Sequence, residues 1–80
     1  MFPEQCRAAR AWLSWSQAEL AAKAGVSTST IRNYEVGKRV PHGNNLRAIR
    51  LAFEQAGMWF ASDGASIGFR RPRKKSRRTE

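Results

Sequence analysis

The sequence holds one cysteine (Cys6), one histidine (His42) and three prolines in 80 residues. A single thiol closes no internal disulfide, and one cysteine with one histidine is too small a set for a zinc site. A lone unpaired thiol fits a reducing compartment. No apolar run approaches the length needed to cross a bilayer, and no basic stretch followed by an apolar one marks a signal peptide. There is no glycine-rich phosphate loop, metal-ligand spacing or nucleophile–base arrangement, and no internal repeat. These absences lead to an expectation of no enzyme activity, no cofactor, no metal and no membrane partner.

Acidic residues are scarce as well: six stand against 15 basic ones, a formal net charge of +9. The excess is uneven. Arg70, Arg71, Arg73, Lys74, Lys75, Arg77 and Arg78 crowd the C-terminal end beside a single acid, Glu80. A polyanion is the natural partner of such a segment. From Pro72 onward there is no apolar periodicity, so residues 72–80 are read as a tail that is disordered in the free protein. Residues 1–71 are read as one small domain.

What is present is a series of helix punctuation marks. Pro3 suits a first helical turn, and Cys6, Ala9, Arg10 and Leu13 share one face, which predicts a helix over 3–13. Ser16 and Glu19 have the spacing of a capping box. Trp15 and Leu20 flank it as a hydrophobic staple, and Gly25 closes the helix. Ser27 then caps a third helix over 28–35, with Val26 and Ile31 repeating the staple geometry. Two short helices meeting across Ala24-Gly25-Val26-Ser27 form the signature of a helix-turn-helix. A fourth helix is predicted over 44–55, with Leu46, Ile49, Phe53 and Ala56 on its inner stripe. The period then shortens. Residues 58–70 read as a β-hairpin around Asp63-Gly64, pairing Ser62 with Ala65, Phe60 with Ile67, Trp59 with Gly68 and Met58 with Phe69. Met58, Phe60, Ile67 and Phe69 then share an apolar face, while Trp59 covers the bare Gly68. Cys6 and Trp12 are expected to pack in the core.

Residues 6–37 resemble the Cro/C1-type (XRE) helix-turn-helix regulators, a family that includes phage repressors. The resemblance rests on Arg7-Ala8-Ala9-Arg10, Ser16-Gln17-Ala18-Glu19-Leu20-Ala21, Ala24-Gly25-Val26-Ser27 and Ile31-Arg32-Asn33-Tyr34-Glu35, followed by Gly37. It implies a mainly α fold: a four-helix, lambda-repressor-like helix-turn-helix domain, here followed by a short C-terminal β-hairpin and the basic tail. Phage repressor domains of this family add a fifth helix where this chain has the hairpin.

The resemblance also implies a sequence-specific regulator of transcription, a repressor or an activator, that binds double-stranded DNA. Its location would be cytoplasmic, with the bacterial nucleoid. The groove-facing positions carried over are Ser27, Thr28, Ser29, Arg32 and Asn33, with Gln17 on a phosphate and Arg10 paired with Glu35 as a structural ion pair. For Arg32 a guanine contact and a phosphate or solvent role both stand. Asn33 suits adenine or phosphate, and Ser27 serves as a cap, a DNA contact or both. Lys38 and Arg39 flank the groove, and Arg73, Lys74, Lys75, Arg77 and Arg78 can follow the phosphate backbone.

A homodimer is expected, because one recognition helix reads only a few base pairs. The apolar face of Met58, Phe60, Ile67 and Phe69 and the hairpin's free edge are the candidate dimer contact. Two other function classes fit the same residues. One is an antitoxin or antiactivator that acts on a protein partner, with or without operator binding. The other is a non-specific chromatin or RNA binder led by the tail.

Overall fold

The computed structural model describes residues 1–63 and 66–70. Gly64, Ala65 and residues 71–80 lie outside that set, and with them the proposed tail contacts Arg73, Lys74, Lys75, Arg77 and Arg78. Four helices, α1 (Pro3–Leu13), α2 (Gln17–Ala24), α3 (Thr28–Glu35) and α4 (Gly43–Gln55), precede two strands, β1 (Met58–Phe60) and β2 (Ile67–Phe69). The architecture is mainly α, and the helix-turn-helix is α2 and α3.

Local chemistry accounts for each boundary. The Ser16 hydroxyl accepts from the Glu19 amide at 2.9 Å, and the Glu19 carboxylate accepts from the Ser16 amide at 2.8 Å. Both orphan donors at the start of α2 are thereby satisfied. The same helix ends at Gly25, whose φ of 71° is a left-handed conformation that a side chain disfavours. Ser27 accepts from the Thr30 amide at 3.1 Å and starts α3 two residues later. α4 begins at Gly43, one residue before the expected start, with His42 at its cap and no side-chain cap bond.

The core runs through every element. Cys6 and Ala9 of α1 meet Leu20 and Ala21 of α2, Ile31 and Tyr34 of α3, Ile49, Ala52 and Phe53 of α4, and Met58 and Phe60 of β1. Phe53 lies at its centre. Trp15 stacks on it at 5.6 Å between ring centroids, and Phe60 meets it edge-on at 5.7 Å. Such aromatic pairs add roughly 0.5–1.5 kcal/mol beyond the area they bury.

The two strands pair antiparallel, Met58 with Phe69, Trp59 with Gly68 and Phe60 with Ile67. The apolar face of the hairpin lies on the chain's own helices. Met58 and Phe60 are buried there, and Ile67 and Phe69 are half-buried against the same core. As a dimer contact through side chains, Met58 and Phe60 are therefore corrected: an isolated hairpin is weak in water and spends this face on its own core first. Gln5 locks the hairpin down. It is 1% exposed. Its Nε2 donates to the carbonyls of Ala61 and Ser66 at 3.2 and 3.0 Å, and its Oε1 accepts from the Phe2 amide at 2.8 Å. Trp12, expected inside, is 62% exposed and leans on Phe69 at 5.8 Å between centroids. Cys6 and Ala9 are small, so α3 packs close to α1 and the indole is left at the margin over β2.

Candidate nucleic-acid interface

The interface is organised around one carboxylate. Glu35, the last residue of α3, is 1% exposed. Its Oε2 accepts from Arg10 Nε at 2.7 Å and from the Cys6 thiol at 3.1 Å. Its Oε1 accepts from Arg10 Nη2 at 2.8 Å and from Gln17 Nε2 at 3.0 Å. Its backbone carbonyl accepts from Arg7 Nη1. Arg10 also donates Nη1 to the Trp15 carbonyl at 2.9 Å. The end of α3 is thus tied to α1 and to the first turn of α2.

The electrostatics follow from that packing. Burial pushes the Glu35 carboxyl up, but hydrogen bonds from Arg10, Gln17 and Cys6 and the guanidinium charge outweigh it. The net result lies below the ordinary value of 4.5. The hydrogen bond to Glu35, against the cost of burial, holds Arg10 more firmly charged than usual. Burial, reinforced by the hydrogen bond and charge of Glu35, pushes the Cys6 thiol well up, so at neutral pH it is a protonated donor and a poor nucleophile.

With its inner side pinned by Ile31, Tyr34 and Glu35, α3 turns its other side outward. Ser29 and Arg32 are exposed, and Thr28 and Asn33 are half-buried. The Ser27 hydroxyl lies within hydrogen-bond distance of those of Ser29 (3.2 Å) and Thr30 (2.8 Å), so its capping work is shared with its neighbours. Lys38 and Arg39 are exposed just beyond the helix. Their backbone amides both donate to the Asn33 carbonyl, at 2.9 and 3.2 Å, which fixes the loop to α3. Beside them opens a cleft of about 390 Å³, lined by Ser29, Thr30, Asn33, Arg39, Val40, Pro41, His42 and Asn45. Gln17 is half-buried at the start of α2.

One surface therefore carries Gln17, Thr28, Ser29, Arg32, Asn33, Lys38 and Arg39. α3 and the loop after it hold no acid except Glu35, which is buried and paired. Among the described residues no set of three or more His, Cys, Asp or Glu side chains is placed to hold a metal, and no helix is long and apolar enough to cross a membrane.

Sequence reasoning missed the Cys6 and Gln17 bonds to Glu35, and the part His42 and Asn45 play in the cleft. For Cys6 a signal was present: it lies four residues before Arg10 on the same face of α1, so both reach one partner. For Gln17, His42 and Asn45 the contacts are tertiary, and spacing carries no trace of them.

A family model described as helix-turn-helix matches residues 7–55, more than half of the chain, from the middle of α1 to the end of α4. No curated protein matches the chain.

Proposed function

The chain belongs to the Cro/C1-type helix-turn-helix family of DNA-binding regulators, and from that premise we propose that it reads a specific operator in duplex DNA as a homodimer. α3 enters the major groove with Thr28, Ser29, Arg32 and Asn33 toward the base edges. Arg32 forms a bidentate contact to guanine, a pairing of about 1–3 kcal/mol in discrimination. Gln17, at the start of α2, donates to a backbone phosphate alongside that helix's free amides. Lys38, Arg39 and the basic tail residues grip further phosphates without reading sequence. Two copies, with their recognition helices one turn of DNA apart, supply the remaining specificity.

The observation that carries this reading is the asymmetry of α3. Its inner side is fixed by the Glu35 bonds, whereas Ser29 and Arg32 stand exposed beside Lys38 and Arg39. A surface kept for a protein partner alone has no need of a rigidly held, acid-free outer face. This surface supports a protein whose task is to bind DNA rather than to catalyse a reaction.

Footprinting on the DNA upstream of the protein's own coding sequence, followed by titration of Arg32→Ala, tests the proposal. A protected site that Arg32→Ala weakens about 5- to 150-fold, with relaxed base preference at one position, is the expected result. Equal binding of all duplexes, unchanged by Arg32→Ala and abolished by deleting residues 72–80, would replace it with non-specific, tail-led binding.

A further inference from the structure

The backbone of β2 has an unused side. In an antiparallel ladder, opposite residues alternate between pairs that exchange hydrogen bonds and pairs that do not. Here the Arg70 amide donates to the Gly57 carbonyl, and the Ala61 amide donates to the Ser66 carbonyl. Two steps on from each lies Trp59 opposite Gly68, so that pair exchanges bonds too. Met58 with Phe69 and Phe60 with Ile67 are then the non-bonded pairs. The N–H and C=O groups of Ile67 and Phe69 point away from β1, and no described residue meets them with a hydrogen bond.

Long or apolar strand edges are commonly blunted with lysine, proline or a bulge. β2, Ile67-Gly68-Phe69, has none of these. At its midpoint Gly68 has no side chain, and a Cβ there would fall inside the Trp59 indole. The indole thus reaches from β1 across β2, toward the open edge, and stays 46% exposed. Beside the same strand Trp12 stands out from α1, and a cleft of about 200 Å³ lies between Trp12, Met58, Ile67, Gly68 and Phe69. Arg70 is exposed at the end of the strand, its guanidinium without a partner among the described residues. At the other end the Ser66 amide and hydroxyl both donate to the Asp63 carboxylate, which makes that end acidic.

We propose that a second copy of this chain pairs with the outer edge of β2 across a two-fold axis at Gly68, joining two hairpins into one four-stranded antiparallel sheet. Ile67 then exchanges both backbone bonds with the partner's Phe69, and Phe69 with the partner's Ile67. Gly68 meets the partner's Gly68 as a close non-bonded pair. The occupant is a second copy because the edge complements itself. The axis falls on a glycine, where two backbones approach without side chains between them. The two Trp59 indoles come together above the axis, within reach of an aromatic pair. Arg70 lies opposite the partner's Ser66, next to the carboxylate of the partner's Asp63, and the reciprocal contact forms by symmetry. This pairing uses the backbone of Ile67 and Phe69 and leaves their side chains on the chain's own core. It stands independently of the DNA-binding reading, which it deepens by placing two recognition helices on one rigid body.

Hydrogen exchange and sedimentation of the full chain test the pairing together. The expected result is a dimer mass at micromolar concentration, with the Ile67 and Phe69 amides becoming protected as the protein is concentrated and exchanging freely when it is diluted. Ile67→Pro removes an amide that the monomer's ladder does not use. It should sediment as a monomer with unchanged far-UV circular dichroism. Should that variant not fold, the two amides of the unmodified chain remain the readout. A native chain that stays monomeric at high micromolar concentration overturns the proposal. So does a dimer whose Ile67 and Phe69 amides exchange freely, or a folded Ile67→Pro that still dimerises. None of these results bears on Arg32→Ala binding to a half-site, so failure of this pairing is distinguishable from failure of the DNA-binding reading.

Discussion

Gln17 Nε2 donates to Glu35 Oε1 at 3.0 Å, so a proposed phosphate ligand and the residue that ends the recognition helix hold each other in place. One amide hydrogen of Gln17 is committed inward, which leaves the second to point outward. The same carboxylate oxygen also accepts from Arg10 Nη2. α1, the start of α2 and the end of α3 therefore move as one unit, and the spacing between Gln17 and the groove-facing residues of α3 is set before DNA arrives. Preorganisation of this kind lowers the ordering cost of binding.

Glu35→Ala leaves the Arg10 guanidinium, Gln17 and the Cys6 thiol without their shared acceptor. Removing one partner of a buried ion pair costs about 3–5 kcal/mol, and Arg10 retains some access to water, so a loss near the low end, about 3 kcal/mol, is expected. Replacing both partners, Arg10→Met with Glu35→Leu, removes the uncompensated charge and should recover most of it. Urea denaturation of the single and double variants measures the difference. A double variant as unstable as Glu35→Ala would contradict the ion-pair account.

The two buried titratable groups of α3 give opposite limbs to the stability profile. The folded Glu35 carboxyl sits below its ordinary 4.5, so its contribution is in place above that pH and disappears as the pH falls through the folded value. Tyr34 behaves in reverse. Burial, aided by the charges of Cys6 and Glu4, pushes its phenol from 10.0 to about 12, while the hydroxyl donates to the Met1 carbonyl at 2.7 Å. The folded state holds that proton more tightly than the unfolded chain, so stability declines as the pH rises above 10. Urea midpoints across the pH range should show both declines, with Glu35→Gln flattening the acid limb and Tyr34→Phe the alkaline one.

The sequence was most legible where structure depends on near neighbours. The Ser16–Glu19 capping box, the Ser27 cap and the hairpin register each follow from residues a few positions apart, and each appears in the fold. Legibility ended where distant segments share one atom. Gln5 reads as a solvated polar residue on a helix, yet it is buried because two carbonyls of the hairpin need a donor. Trp12 reads as core by its bulk, but the small residues on the inner stripe of α1 leave no space for it. The exposed positions of α3 were legible through family likeness. The network that holds them had a single sequence cue, the four-residue spacing of Cys6 and Arg10.

Gln17 and Lys38 should separate cleanly in a salt titration. Both are proposed to hold phosphate, but a neutral amide releases no counterion. Lys38→Ala should lower the slope of log affinity against log salt by about 0.9. Gln17→Ala should weaken binding by about 0.5–1.5 kcal/mol at every salt concentration and leave the slope unchanged. Fluorescence anisotropy on one operator duplex measures both. A slope that changes with Gln17→Ala would mean that the loss of this side chain disturbs a charged contact, with Arg10 the nearest candidate through their shared partner Glu35.

Gly68 and Trp59 should be strongly coupled. In an ordinary strand, glycine is a liability, and a side chain at its position would add packing and reduce the entropy lost on folding. Here the Trp59 indole occupies the place a side chain would take. Gly68→Ala therefore forces the ring off its seat, and overpacking of this kind costs about 1–3 kcal/mol. In a Trp59→Ala background the obstacle is gone, so the same Gly68→Ala change should become neutral or stabilising. Thermal denaturation of the four proteins gives the coupling directly, and residues in such contact couple by about 0.5–3 kcal/mol. Equal costs in the two backgrounds would mean that Gly68 answers to the backbone conformation alone. The observed coupling would show that the glycine was retained to seat the indole over β2, which is the arrangement that leaves the outer edge of the strand open.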